Sequence, residues 1–477
     1  MNKYKKLAFN TIIFAIGSFG SKILVMLLTR LYTKNISPAD LSTKELLEIT
    51  ANFLLPIFTF SMTEAIIRFG LDNKYDKSEV FTTATVLNGM GLVLMLILSP
   101  IFRLISFLDF IEGYTILLLV YVCTSAFRAL CSQFVRARGM VKLYSLDGIL
   151  ATITLLIFSI LFISNFHWGV KGFMLSVILS DFCSAVFLFI IAGLHRYLSL
   201  ECYNKRLATS MMRFAVPLIP TIVMWVITGF SDRLFIRYMH SSKVELGESA
   251  AGIYGLATKV PNLISMVSTI FFQAWNMSAI MENESEDRSR FYEKVYGAYE
   301  AVLFIFSAFL IAGVQIVTPI FVSTARFGEY GQVYKYTPVL VVAVLFMCLD
   351  QFLSSIYTAT KHTKNSFWTS FAASMANLVL NFFLIPEWGI HGAAIATFLS
   401  YYLCFWARII DARYYVPFRF NAVKSLANTG LLLIMCWVII TKPALYGLWL
   451  TFMIIAVISF YSKEFSATIK KLCRRRA

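Results

Sequence analysis

Apolar residues run along the chain in long blocks, each broken by a short polar or charged stretch. "AIGSFGSKILVMLLTRLYT" (15–33) is one such block, and blocks of 18 residues or more recur to the carboxy-terminal tail. Runs of that length are the pattern of helices that cross a bilayer. Read against turn and charge punctuation, they predict about fourteen spans. These lie near 8–32, 45–69, 80–106, 113–136, 142–164, 169–194, 212–238, 249–275, 292–318, 334–358, 364–385, 389–411, 421–441 and 444–462. Composition agrees. Only 14% of residues are charged, against roughly 25% in a soluble chain, and mean hydropathy is +0.73. The fold class expected is an all-α integral membrane protein.

The net charge of +16 raises nucleic acid as a partner, so its placement decides. With the amino terminus inside, most Lys and Arg fall in cytoplasmic segments. They include Lys5, Lys6, Arg136, Arg138, Lys205, Arg206, Arg408, Arg413 and the tail Lys470, Lys471, Arg474, Arg475 and Arg476. That is the positive-inside pattern. It puts both termini in the cytoplasm and removes nucleic acid from consideration. "MNKYKK" before a long apolar run, with no small-residue cleavage site after it, reads as the start of the first span and not as a secretory leader. The eight cysteines form no CxxC pair and mostly lie in spans, where they pack as apolar groups. The five histidines show no metal-ligand spacing.

The chain also repeats itself. "WGVKGFMLSVILSD" from Trp168 matches "WGIHGAAIATFLSY" from Trp388, with Ser180 answering Ser400. Upstream, "ARGMVK" lines up with "ATKHTK", and Pro56 answers Pro261. Two six-span halves follow: 1–200 and 201–415, with two further spans and a basic tail at 416–477. An even number of spans gives both halves the same orientation, a parallel repeat about an axis along the membrane normal. Two-lobed transporters bind substrate between their lobes.

Several charges fall inside spans, where one at the centre costs about 2.5–3.5 kcal/mol. Lys22 lies about 14 residues into its span, roughly 21 Å from its start, too deep to snorkel. Thr11, Ser18, Lys22 and Thr29 share one helix face. Span 8 repeats the design with Lys259, Asn262, Met266, Thr269 and Gln273, and spans 2 and 7 carry polar stripes through Asn52, Pro56, Thr59 and Thr63 and through Thr221, Trp225, Thr228 and Asp232. Spans 13 and 14 read as almost plain apolar helices. Glu64 and Arg68, four apart, fit an intrahelical ion pair. Asp232 has Arg233 beside it, and Asp181 suits a tie to a neighbouring helix. Arg128 and Asp350 hold equivalent positions in the two halves and invite a pair across the lobes, acting as a gate. Neither Lys22 nor Lys259 has an acidic residue three or four positions away, so both are expected to serve an anionic substrate, with phosphate or pyrophosphate the natural guest. No GxxxxGK[ST] motif supplies a nucleotide site. An ion gradient or the substrate's own gradient must drive transport, with no cofactor expected and coupling to H+ or Na+ left open.

At this point a family comes into view. "FNTIIFAIGSFGSKILVMLLTRLYT", "LLPIFTFSMTEAIIRFG", "RARGMVKLYSLDGIL", "WGVKGFMLS" and "TIFFQAWNMSA" together resemble the Wzx-type polysaccharide repeat-unit flippases. These belong to the multidrug/oligosaccharidyl-lipid/polysaccharide exporter superfamily. The resemblance implies transport of undecaprenyl-pyrophosphate-linked O-antigen, capsule or exopolysaccharide units from the inner to the outer leaflet of a bacterial cytoplasmic membrane. It implies two rocking lobes around a cationic lumen lined by spans 1, 2, 7 and 8, with Lys22, Arg68, Arg128 and Lys259 facing it and Asn262 and Gln273 beside Lys259. Glu64, Asp232 and Asp350 are the candidates for coupling or gating. Related lipid II flippases also have fourteen spans, and spans 13 and 14 here would form a comparable lipid-facing groove. Partners implied are the lipid-linked glycan, the bilayer and a polymerase or chain-length complex, with the transporter itself a monomer.

Rival readings are a lipid II flippase or a multidrug/cation antiporter of the same superfamily. Lys22 in span 1 argues against a cationic drug, since multidrug members rely on acidic groups. A membrane polymerase or ligase would need a large outer loop, and the longest here, about Thr33 to Lys44, is too short for a catalytic domain. The chain is therefore expected not to be an enzyme.

Overall fold

The computed structural model describes residues 26–72, 74–104, 106–282, 287–360 and 363–462. They are helical almost throughout, and no strand occurs among them. The first expected span lies mostly outside the described residues. Its end forms α1 (26–35). The expected outer loop from Thr33 to Lys44 is nearly all helix, because α2 (Pro38–Phe58) begins just after Ile36 and Ser37. Ser37 accepts from the Asp40 N–H at 3.2 Å and donates back to its carboxylate at 2.8 Å. Pro38 fills the first turn, where no donor is needed, and Asp40 faces the positive end of the helix dipole.

α2 breaks at Thr59–Ser61 and resumes as α3 (Met62–Gly70) after a 54° bend. Pro56 removes a hydrogen bond just before the break. Phe60 and Ser61 then both take left-handed conformations (φ 50° and 51°), a region costly for L side chains. α4 (Lys77–Leu98) packs against this elbow through Gly91, where a Cβ would stand 1.8 Å from the Phe58 carbonyl oxygen. The equivalent span 8 also breaks. α10 (Glu248–Ala257) and α11 (Asn262–Glu282) are separated by a turn at 258–261 that contains Pro261. The prolines matched by the repeat therefore mark matched breaks.

The other expected spans each have a helical counterpart: α5 (Thr115–Ala137), α6 (Val141–Ser159), α7 (Gly169–Ile191), α8 (Lys205–Ala215) running on into α9 (Ile219–Tyr238), α12 (Arg288–Ala312), α14 (Val333–Ala359), α15 (Thr363–Trp388), α16 (Ile390–Tyr415), α17 (Ala422–Thr441) and α18 (Tyr446–Phe460). A short α13 (Val314–Phe321) follows α12. Among the described residues ten helices are long and apolar enough to cross a membrane, or up to eleven if the bent α2–α3 pair is one span. The protein is a multi-pass, all-helical membrane protein.

The repeated Trp-Gly motif has a structural cause. Gly169 and Gly389 sit at φ 52° and 58°, turning the chain from α6 into α7 and from α15 into α16. The second glycines let those helices meet a facing backbone. A Cβ on Gly172 would lie 3.1 Å from the Phe162 oxygen, and one on Gly392 would lie 2.2 Å from the Leu384 oxygen. α5, α6 and α7 pack together, as do α14, α15 and α16.

The chain divides into two compact units. The amino-terminal unit runs to Leu234 and takes in Ala325–Phe327. The carboxy-terminal unit comprises Phe235–Thr324 and the chain from Gly328. α17 departs from the plain apolar helix read in the sequence, for it buries Ser425, Asn428 and Thr429 along one side. Asn428 and Thr429 donate locally to the Lys424 and Ser425 carbonyls.

Candidate functional site

Arg128 is bound within its own unit. Its Nη1 donates to Asp181 at 2.9 Å, its Nε to the Ser184 hydroxyl at 2.9 Å, and Nη2 stands 3.6 Å from Asp147. Ser125 donates to Asp181 and Ser184 to Asp147. The cluster ties α5, α6 and α7 together, with both carboxylates almost wholly buried. Carboxylates taken out of water need such partners. Asp181 does hold a neighbouring helix, and the helix is α5.

Asp350 on α14 takes Arg408 of α16 at 3.6 Å. Arg408 is buried and donates further to the Asp350 and Ser366 carbonyls and to the Thr369 and Ser370 hydroxyls, at 2.7–3.1 Å. Two sequence readings are corrected here. The expected pair of Arg128 with Asp350 is replaced by two separate ion clusters, each closed inside one unit. Arg408, counted in the sequence as a cytoplasmic topology charge, is a core residue.

A further ionic group was hidden by its position. Lys44, in the supposed loop, is buried, pairs with Glu48 at 2.6 Å and lies over the Phe173 and Tyr32 rings, 4.4 and 5.1 Å from their centroids. Glu45 takes Arg233 at 3.1 Å. Asp232, next along α9, is buried.

The side chains left open are different. On α3, Glu64 and Arg68 are both exposed and, among the described residues, no ion pair joins them. Glu64 lies in the first turn and Arg68 in the last, so each already has the favourable end of the helix dipole. Asn52 of α2 is exposed as well. On α8, the buried side is Leu207, Ala208, Met211 and Ala215, and the opposite side exposes Arg206, Thr209, Ser210 and Arg213. Sequence reading missed Arg213, although its spacing from Arg206 through Thr209 and Ser210 is a helical stripe.

In the carboxy-terminal unit, Lys259 is half-buried at the α10–α11 break, and Asn262 and Thr269 are exposed along α11. Ile264, Ser268 and Trp275 of the same helix are buried. The Trp275 indole donates to Ser355 at 2.7 Å and stacks on Phe352, with centroids 4.6 Å apart. The "FFQAW" stretch thus holds the helix down while the polar stripe stays open. Lys22 and the side chain of Gln273 lie outside the described residues.

The fold is similar to that of known transporters. The lipid II flippase MurJ, in an inward closed conformation, matches with a TM-score of 0.70 and 16% identity over 97% of this chain and 100% of that one. A multidrug resistance MATE family transporter of the MOP superfamily matches in its inward-facing conformation, with a TM-score of 0.66 and 15% identity over 83% of this chain and 95% of that one. The outward-facing conformation of such a transporter gives a TM-score of 0.61 at 15% identity, over 87% of this chain and 96% of that one. No family model and no curated protein matches the chain. The fold is thus the all-helical fold that these solved structures share.

Proposed function

We propose that the protein is a flippase carrying undecaprenyl-pyrophosphate-linked oligosaccharide units from the inner to the outer leaflet of a bacterial cytoplasmic membrane. Its two halves, 1–200 and 201–415, would alternate in access, with Lys22, Lys259 and Arg68 presenting positive charge to the pyrophosphate and Asn262 and Gln273 beside them, while Arg128, neutralised by Asp147 and Asp181, braces the first lobe. The observation that carries this reading is the exposed Arg68 on the second segment of a bent span. A charge there is tolerated only against water or a charged guest, because lipid makes it costly. In support, the fold likeness to MurJ takes in nearly the whole chain. Coupling to H+ or Na+ belongs to the same proposal, with Glu64, Asp232 and Asp350 as its acidic groups. The substrate's glycan class, O-antigen or capsule, would be fixed by sugar contacts elsewhere on the path.

The test is flipping of a fluorescent undecaprenyl-pyrophosphate glycan in vesicles, with protein amount measured in parallel. Lys22→Glu and Lys259→Glu should nearly abolish flipping, and Lys22→Arg should keep more of it than Lys22→Ala. Wild-type flipping by Lys22→Glu would end the cationic-path account. The likeness to MurJ favours a second reading, a lipid II flippase. Offering lipid II in the same assay separates the two.

A further inference from the structure

α3 and α8 lie side by side over one core. Met62, Ala65 and Ile66 of α3 share an apolar cluster with Leu207, Ala208, Met211 and Ala215 of α8. Phe69 meets Phe214 edge-on, with centroids 6.1 Å apart. The residues just before these two phenylalanines are Arg68 and Arg213, and both are exposed. Packed helices run about 8–10 Å apart, a gap that two arginine side chains close around a single group. Among the described residues neither guanidinium has an ion-pair or hydrogen-bond partner.

Arg213 lies about 12 Å beyond Lys205 along the helix, inside a stretch of membrane-span composition, Lys205–Met224. Lipid is a costly neighbour for it there, and two close cations repel each other. A dianionic group between them removes both penalties and accepts paired N–H donors from each planar guanidinium. Glu64, one turn back along α3, repels an anion and marks the other edge of such a site.

We propose that Arg68 and Arg213 form a two-guanidinium clamp for the phosphate-bearing head group of a lipid. This rests on the flippase reading and assigns the clamp to the substrate's pyrophosphate in preference to bulk anionic lipid. Arg213 then reads the head group at the cytoplasmic end of the path, before the lysines take it deeper.

The experiment uses the full chain purified in a neutral detergent, with fluorescent undecaprenyl pyrophosphate as the probe. Arg213→Gln and Arg68→Gln should each weaken binding at least about tenfold, the range for a lost hydrogen-bonded charge contact. The double variant should fall short of the sum of the singles, because the residues act on one group. Arg213→Lys should bind at an intermediate level, and Arg196→Gln, a surface control on the same unit, should bind as wild type. Thermal melting of each variant excludes misfolding. Phosphatidylglycerol in excess should not displace the probe. Wild-type binding by Arg213→Gln overturns the clamp, and equal displacement by phosphatidylglycerol overturns its assignment to the substrate. If the wild-type protein binds the probe through Arg213 yet flips no glycan, the flippase reading fails and the clamp stands. If Arg213→Gln both binds and flips normally, the clamp fails and the flippase reading stands.

Discussion

Arg128 and Asp350 hold equivalent positions in the two halves, and each takes its counter-charge from a helix of its own unit. A charge swap between them should therefore fail. Arg128→Asp with Asp350→Arg should transport no better than either single change, whereas a direct pair would show rescue. Arg128→Met should cost about 3–5 kcal/mol, because it leaves buried carboxylates without their cation. Adding Asp181→Asn should recover part of the loss in thermal melting. Full recovery of transport by the charge swap would contradict this assignment. The chain reveals which residues carry charge inside spans, but not which of them are partnered. Partners arrive from helices far along the sequence, as Asp147 and Asp181 do for Arg128. Arg213 escaped notice for a related reason. At the start of the expected span, 212–238, a basic residue already fits the positive-inside pattern, and only the structure sets it within a longer helical stretch, Lys205–Met224, whose first helix packs on α3.

Helices were legible wherever local chemistry sets them. The sequence reads spans 2 and 8 as unbroken; the structure breaks both at the matched Pro56 and Pro261, and the Trp-Gly repeat marks two similar helix entries. Less legible was the start of α2, where Lys44 looks like a loop charge, and Glu45 and Glu48 like the polar edge of a span, until their partners are known. The apolar look of span 13 hid the same kind of fact. Asn428 and Thr429 follow Ser425 by three and four residues, so all three fall on one side and pack inward. The second glycine of each repeat gives a graded prediction. Gly392→Ala drives a methyl to 2.2 Å from a backbone oxygen, and Gly172→Ala only to 3.1 Å. Overpacking of this kind costs about 1–3 kcal/mol, so Gly392→Ala should lower the melting temperature clearly and Gly172→Ala much less. Equal, negligible shifts would mean that α15 and α16 approach less closely than described.

For the whole molecule, hydropathy and charge placement suffice to predict a multi-pass helical protein with an internal repeat, because the bilayer allows few alternatives. Substrate choice is less legible, since one fold serves both a lipid II flippase and multidrug transporters. On the proposed reading, the sign of the charge on the exposed faces selects the substrate. Arg68 and Arg213, both exposed, then argue for an anionic head group. The most direct test is made on the wild-type protein in sealed vesicles of defined lipid. One arm follows the protection of a fluorescent undecaprenyl-pyrophosphate oligosaccharide from a membrane-impermeant quencher, and the other follows uptake of a fluorescent organic cation under the same ion gradients. The account predicts protein-dependent flipping of the lipid-linked glycan and no cation transport. Cation transport with an unmoved glycan would contradict it.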